Sequence, residues 1–287
     1  MKYSVFTVST PEYDIEETAK LLSSLGYDGV EWRVGKSAGA TQPDDYTFEN
    51  RYWTYNKATL KLDDVENEAK KAKAACDRYA LDFVCISSNL NVTQIAEIES
   101  VAKAAASVDC RFVRIWAPAY DGSKNYNDVL NDCIENTKEL LPLAKKYNVK
   151  FLFEIHMGLI IPSASAAYRL VSNFDPNQIG VIYDPGNNVY EGLENMQMGI
   201  EILGPYLAHV HIKNGKWVQG ETDADGTEHY APVFAEIDKG YFDIKKLLST
   251  LNEKSYQGYL SVEDFANNMS TQEKIAHNID FMKKFNQ

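Results

Sequence analysis

Hydrophobic residues along this chain fall into two alternating patterns. Short apolar runs occupy residues 3–8, 27–34, 82–88, 111–117, 149–156, 179–184, 207–213 and 258–264. Between and after them lie longer stretches with apolar positions three and four apart, near 14–25, 63–80, 93–107, 126–147, 163–173, 193–204, 243–254 and 271–285. The first pattern is that of buried strands and the second that of amphipathic helices. Eight strands in strict alternation with eight helices imply parallel pairing through crossover helices. A closed (β/α)8 TIM barrel, one domain over residues 1–287, leaves no strand edge unpaired. An open doubly wound sheet is the competing arrangement, but no glycine-rich fingerprint follows the first strand; Gly26 and Gly29 lead into the second instead. Asp14 before Ile15-Glu16-Glu17 has the features of a helix N-cap, Gly26 follows the helix ending at Leu25, and Asn148 closes the long helix before the fifth strand. Two connections, 35–62 and 214–242, are long for a compact barrel and are expected to be lids or substrate walls at one mouth.

Alternation within the strands directs particular side chains inward. Glu154 and His156 share one face of Leu152-Phe153-Glu154-Ile155-His156, and Asp184 ends the sixth strand before Pro185-Gly186. His209, His211 and Lys213 share a face of the seventh strand, and Glu263 ends the eighth. Four successive strands thus each bring an acid or a histidine to the C-terminal end, where barrel active sites lie. Buried charge is costly unless it is paired or bound to a metal, so four converging groups point to a metal site. Glu31 and Arg33 end the second strand on one face, and Arg114 and Trp116 do the same on the fourth. Trp116 is placed to stack on a ligand face, and Lys213 to polarise a carbonyl or hold an anion.

Composition narrows the classes. The net charge of −12 opposes binding to phosphate backbones and anionic lipid, so neither nucleic acid nor a membrane is an expected partner. No run is long enough to span a bilayer, and Met1–Thr7 reads as a strand and not as a leader, which makes a cytoplasmic protein the expectation. Cys76, Cys85, Cys110 and Cys133 show no CxxC spacing and read as reduced core thiols. Oligomeric state is left open, self-association included.

The segments FEIH, YDPGN, HVHIKN and SVED, in this order on successive strands, resemble the xylose isomerase-like barrel superfamily of sugar (phosphate) isomerases and epimerases, which also holds inosose dehydratase-like lyases and the endonuclease IV branch. The resemblance implies Glu154, Asp184, His211 and Glu263 as metal ligands. Three carboxylates and an imidazole suit Mn²⁺ best, with Mg²⁺, Co²⁺ or Zn²⁺ as alternatives. It further implies proton transfer through an enediolate of a small carbohydrate, with Glu154 and Glu263 as acid and base from opposite sides. His156 is then a further catalytic candidate, and Glu31, Arg33, Trp116, Asn187, His209 and Lys213 are substrate-binding candidates. Two departures stand out: Asn187 lies where many family epimerases carry a His, and Trp217 where they often carry an Arg. A lyase acting through the same enolate, on an inosose or a 3-keto-glycoside, is therefore the alternative. An endonuclease IV-like phosphodiesterase needs more than the five histidines present. A non-catalytic barrel would tolerate loss of the ligands, and all four are intact.

Overall fold

The computed structural model describes residues 1–36, 47 and 50–285. Eight parallel strands make the barrel: β1 (Lys2–Phe6), β2 (Gly29–Gly35), β3 (Asp82–Asn91), β4 (Phe112–Trp116), β5 (Lys150–Glu154), β6 (Ile179–Tyr183), β7 (Leu207–Ile212) and β8 (Tyr259–Val262). They pair in that order, and β1 pairs with both β2 and β8, which closes the ring. The strands lie within two residues of the apolar runs at most ends, because each run is buried and flanked by turn residues. β5 and β6 are buried at every position, as strands enclosed by helices on one side and the barrel interior on the other must be. The first helix, Ile15–Leu25, starts with a capping box between Asp14 and Glu17 and ends at Gly26 with φ 79°. Asn148 takes the corresponding left-handed position after Leu141–Tyr147, with φ 52°.

Two segments depart from expectation. The stretch 126–147 is two helices, Tyr126–Lys138 and Leu141–Tyr147. Pro142 is the cause: it has no N–H to give to the preceding turn, and its ring crowds that turn. Within 214–242 the chain is not an irregular loop but an antiparallel hairpin, Asn214–Thr222 with Glu228–Ala235. Its base is fastened at Asn214, whose Nδ2 donates to the carbonyls of Ile237 and Phe242 at 2.9 Å each. Of the other long connection, residues 37–46 and 48–49 lie outside the described residues; the rest includes a short helix, Asn50–Trp53, and a two-residue strand, Leu60–Lys61, beside β2.

The four cysteines are free and buried. No helix among the described residues is long and apolar enough to cross a membrane.

Candidate metal centre

Strand register sets the layers at the mouth. Ser261 on β8 lies level with His211 on β7, so Glu263 comes level with Lys213 two residues on. Arg33 on β2, Ser87 on β3 and Arg114 on β4 form one row, since Ser87 is in register with both. Glu31 lies two residues below Arg33 on the same face.

His211 organises the interior. Its Nε2 lies 3.2 Å from both carboxylate oxygens of Glu31, and its ring stacks on Phe6 at 5.7 Å. Its Nδ1 points the other way, 3.2 Å from Glu154 Oε1 and 3.5 Å from both Asp184 Oδ2 and Glu263 Oε2. None of these three contacts has hydrogen-bond geometry. Glu154, Asp184, His211 and Glu263 are buried, and one ligand atom of each lies within 4.8 Å of the others. Ligands of one ion at about 2.0–2.4 Å stand at most about 4.8 Å apart, so the spacing fits a single divalent cation. The carboxylate behind the imidazole fits as well, because a metal-bound His usually gives its second N–H to such a group.

Each acid has a buried cation beside it, Asp184 and Glu263 sharing one. Arg114 Nη1 donates to Glu154 Oε2 at 2.6 Å, while its Nη2 reaches Asn89 Oδ1 at 2.7 Å. Lys213 Nζ lies 2.6 Å from Glu263 Oε2 and 3.0 Å from Asp184 Oδ2. Burial raises carboxylate pKa values, yet these neighbours outweigh it. Arg114 and His211 hold Glu154 down at about 2, and Lys213 and His211 keep Glu263 below its ordinary value. Asp184 is lowered too, chiefly by Lys213 against burial. Burial would depress His211, but Glu31 and Glu154 prevail and raise it well above the usual imidazole value. The cluster therefore draws positive charge to its centre. A metal-bound His211 is neutral, and with His209 also counted neutral the four carboxylates of Glu31, Glu154, Asp184 and Glu263 face two cations in contact with them, Arg114 and Lys213. The two negative charges left over match a dication.

The structure brings some predicted site residues together and separates others. Asn187 donates from Nδ2 to Glu154 Oε1 at 3.2 Å and to the Ile155 carbonyl at 3.1 Å, so its amide holds a candidate ligand in place. His209 is fully buried and meets Glu31 at 2.8 Å, one layer beneath the ligand atoms. Glu31 is buried there with it. His156 stays outside the cluster: its Nδ1 lies 2.7 Å from the Met157 carbonyl, and its ring lies 5.0 Å from that of Trp116. It bonds no candidate ligand. Trp116 keeps a buried indole N–H without a hydrogen-bond partner among the described residues. Trp217 points back from the hairpin and donates to the Val189 carbonyl at 2.9 Å. Arg114 was legible only as an inward-facing residue; its bond to Glu154 crosses between strands and leaves no local pattern. Phe234, carried in by the hairpin, packs on Phe265 at 4.9 Å and lies 5.7 Å from Lys213 Nζ. Gly186 gives Lys213 its passage, since a Cβ there would stand 2.4 Å from Lys213 Cγ.

Comparison with known proteins agrees with this architecture. The family described as xylose isomerase-like TIM barrel matches residues 19–285, and the chain belongs to it. An inosose dehydratase of Clostridium perfringens (strain 13 / Type A) is 27% identical over 155 residues, 51% of this chain and 51% of that one. The chain thus aligns with about half the length of the curated relatives it matches. The D-psicose 3-epimerase from Clostridium cellulolyticum H10, solved with D-tagatose, superposes with a TM-score of 0.70 at 12% identity over 100% of both chains. The IOLI protein with a bound zinc atom gives 0.71 at 16% identity over 99% of each. At these identities the structural likeness is one of fold.

Proposed function

We propose that this xylose isomerase-like barrel is a divalent-metal-dependent isomerase or epimerase of a small carbohydrate, acting by proton transfer at a carbon beside a carbonyl. The observation that carries the reading is the placement of Glu154 on β5 and Glu263 past the end of β8, on either side of His211, each backed by its own buried cation. Glu154, Asp184, His211 and Glu263 would hold the ion, and the zinc in the IOLI structure supports a metal here. When bound, the ion would stabilise negative charge developing on substrate oxygens. Arg114 and Lys213 keep Glu154 and Glu263 ionised at neutral pH, so each can accept a proton. One carboxylate removes the proton from carbon; the other first takes up a proton from water and returns it to carbon from the opposite side. The same cations disfavour the protonated acids, which speeds the return. Glu31 and His209 fix the ring of His211, and Asn187 fixes Glu154. Trp116, with its ring beside that of His156, lines the rim where the sugar would lie.

A lyase reading rests on the similarity to inosose dehydratases. It shares the first proton removal; a hydroxide then leaves the neighbouring carbon instead of a proton returning. Incubation of the metal-loaded protein with ketoses and inososes in deuterated water, followed by NMR, separates the two. Carbon-bound deuterium without loss of water is expected. A new unsaturated ketone would assign the lyase, and neither signal with any polyol carbonyl would reject proton transfer altogether.

A further inference from the structure

Arg33 differs from every other cation at the mouth. Its residue is only 7% exposed, yet its one side-chain hydrogen bond among the described residues runs from Nη1 to the neutral Thr59 Oγ1 at 2.5 Å. Its guanidinium lies over the Trp53 ring at 5.6 Å, and no described carboxylate forms a salt bridge with it. By contrast, Arg114 has Glu154, Lys213 has Glu263 and Asp184, and buried Lys274 has the field of Asp264 with bonds to Tyr52 and the Ala266 carbonyl. Burial, and then the like charge of Arg114 in the same row, lower the Arg33 pKa to about 10. An uncompensated buried charge is expensive, and functional sites are where such costs are retained.

The charge count at the mouth isolates the same residue. A divalent ion with Arg114 and Lys213 balances the four carboxylates, and Arg33 is then the surplus positive charge. Its position is also apt. β2 lies four strands from β6 around a ring of eight, so Arg33 stands across the mouth from Asp184. The Trp53 and Phe265 rings, 5.7 Å apart, run from beneath Arg33 to within 5.4 Å of Lys213 Nζ. They offer an apolar wall along which a short carbon chain could lie between the two cations.

We propose that Arg33 receives an oxyanion, a carboxylate or a phosphate, at the end of the substrate remote from the reacting carbonyl. The substrate class is then an acidic or phosphorylated polyhydroxy-carbonyl compound. Arg suits the task because its planar fork pairs with both groups through two parallel bonds. The inference rests on the reading of the mouth as the substrate site.

The test is calorimetric titration of the Mn²⁺-loaded protein with D-fructose, D-fructose 6-phosphate, 5-keto-D-gluconate and inorganic phosphate. At least one of the two anionic sugars should bind tenfold or more tightly than D-fructose, and which of them does so separates phosphate from carboxylate. In Arg33→Met that advantage should vanish, the anionic sugars then binding no more tightly than D-fructose does to the same variant. The melting temperature of the free variant should hold or rise, since the lost cation had no counter-charge. Arg33→Lys, which keeps the charge without the fork, should retain part of the advantage. The proposal is overturned by equal binding of neutral and anionic sugars in the wild type, by a preference that survives Arg33→Met, or by no binding of any anionic probe at millimolar concentration. A fall in melting temperature with the anion preference intact would make Arg33 a fold residue. Should Arg33→Met not fold, the wild-type selectivity and Arg33→Lys decide alone. Binding needs no turnover: anion preference without deuterium exchange would sink only the proton-transfer reading, and exchange on neutral ketoses without anion preference would sink only this one.

Discussion

At the floor of the barrel Lys2 meets Asp82 at 2.7 Å, with the two side chains 55% and 50% exposed. At the mouth Arg114 meets Glu154 at 2.6 Å, with exposures of 2% and 1%. Bond length is almost the same, but the surroundings reverse the energetics. An exposed pair is worth about 0–1 kcal/mol, because water competes for both partners. A buried pair gains little over an apolar one of equal shape, yet breaking it costs about 3–5 kcal/mol, because one charge is stranded. Charge at the mouth is thus kept against the interest of stability, as expected of the end where barrels do chemistry.

The comparison can be broken at several places. The largest effect is expected at Glu154→Gln and Glu263→Gln, each of which should lower turnover about 10²–10⁴-fold in metal-saturated protein. Asp184→Asn should lose the ion itself, read by elemental analysis; unchanged metal would remove Asp184 from the ligand set. Next comes Arg114→Met, expected to destabilise the metal-free protein by about 3 kcal/mol in denaturant titration, against less than about 1 kcal/mol for Lys2→Met. Equal losses would erase the contrast between the two ends. Gly186→Ala should cost about 1–3 kcal/mol, because the added Cβ meets Lys213 at Cγ and at the backbone, 3.0 Å away. Its KM should shift along with its stability, since Lys213 has to move.

The smallest effect lies at the floor. Burial, and then Arg111, push the Lys150 ammonium down to about 8 from its ordinary 10.5. Between these values the unfolded chain holds a proton that the folded chain has shed, so stability rises with pH across that window. Below about 8 both states are charged and the folded state bears the full cost. Lys150→Met should therefore stabilise by about 1 kcal/mol at pH 7, with the gain fading as pH climbs towards 10.5. A gain that grows with pH would reverse the sign of this account.

The barrel was legible in the sequence because burial writes itself locally: each strand is a short apolar run, and each helix has a periodic face. The acids and histidines of the mouth were legible for a related reason, since inward parity at four strand ends collects them; only the family resemblance picked Glu154, Asp184, His211 and Glu263 out as candidate ligands. Their partners were not. Glu31 reaches His209 and His211 across the barrel interior, 178 and 180 positions along the chain, and nothing in either segment announces the other. His156 shares its strand face with Glu154, but β5 ends at Glu154 and the chain turns there, which takes the imidazole to Met157 and Trp116. The hairpin was missed because its strands are mostly exposed, and the one apolar run in them, Tyr230–Ala235, is interrupted by Pro232.

Closure of the ring has a consequence for biosynthesis. Lys2 and Tyr259, paired across the seam, stand 257 positions apart, and the contact between His211 and Glu263 bridges the last two strands. Long-range closure of this kind is slow and depends on late segments. At about 5–20 residues per second, the interval between emergence of His211 and of Glu263 is about 3–10 s. For that time a nascent chain holds three of the four candidate ligands, with the edges of β1 and β7 unpaired. Those edges are open to pairing with other chains until β8 fills the gap. Completion of the candidate ligand set and protection from aggregation are then one event, set by arrival of the same strand.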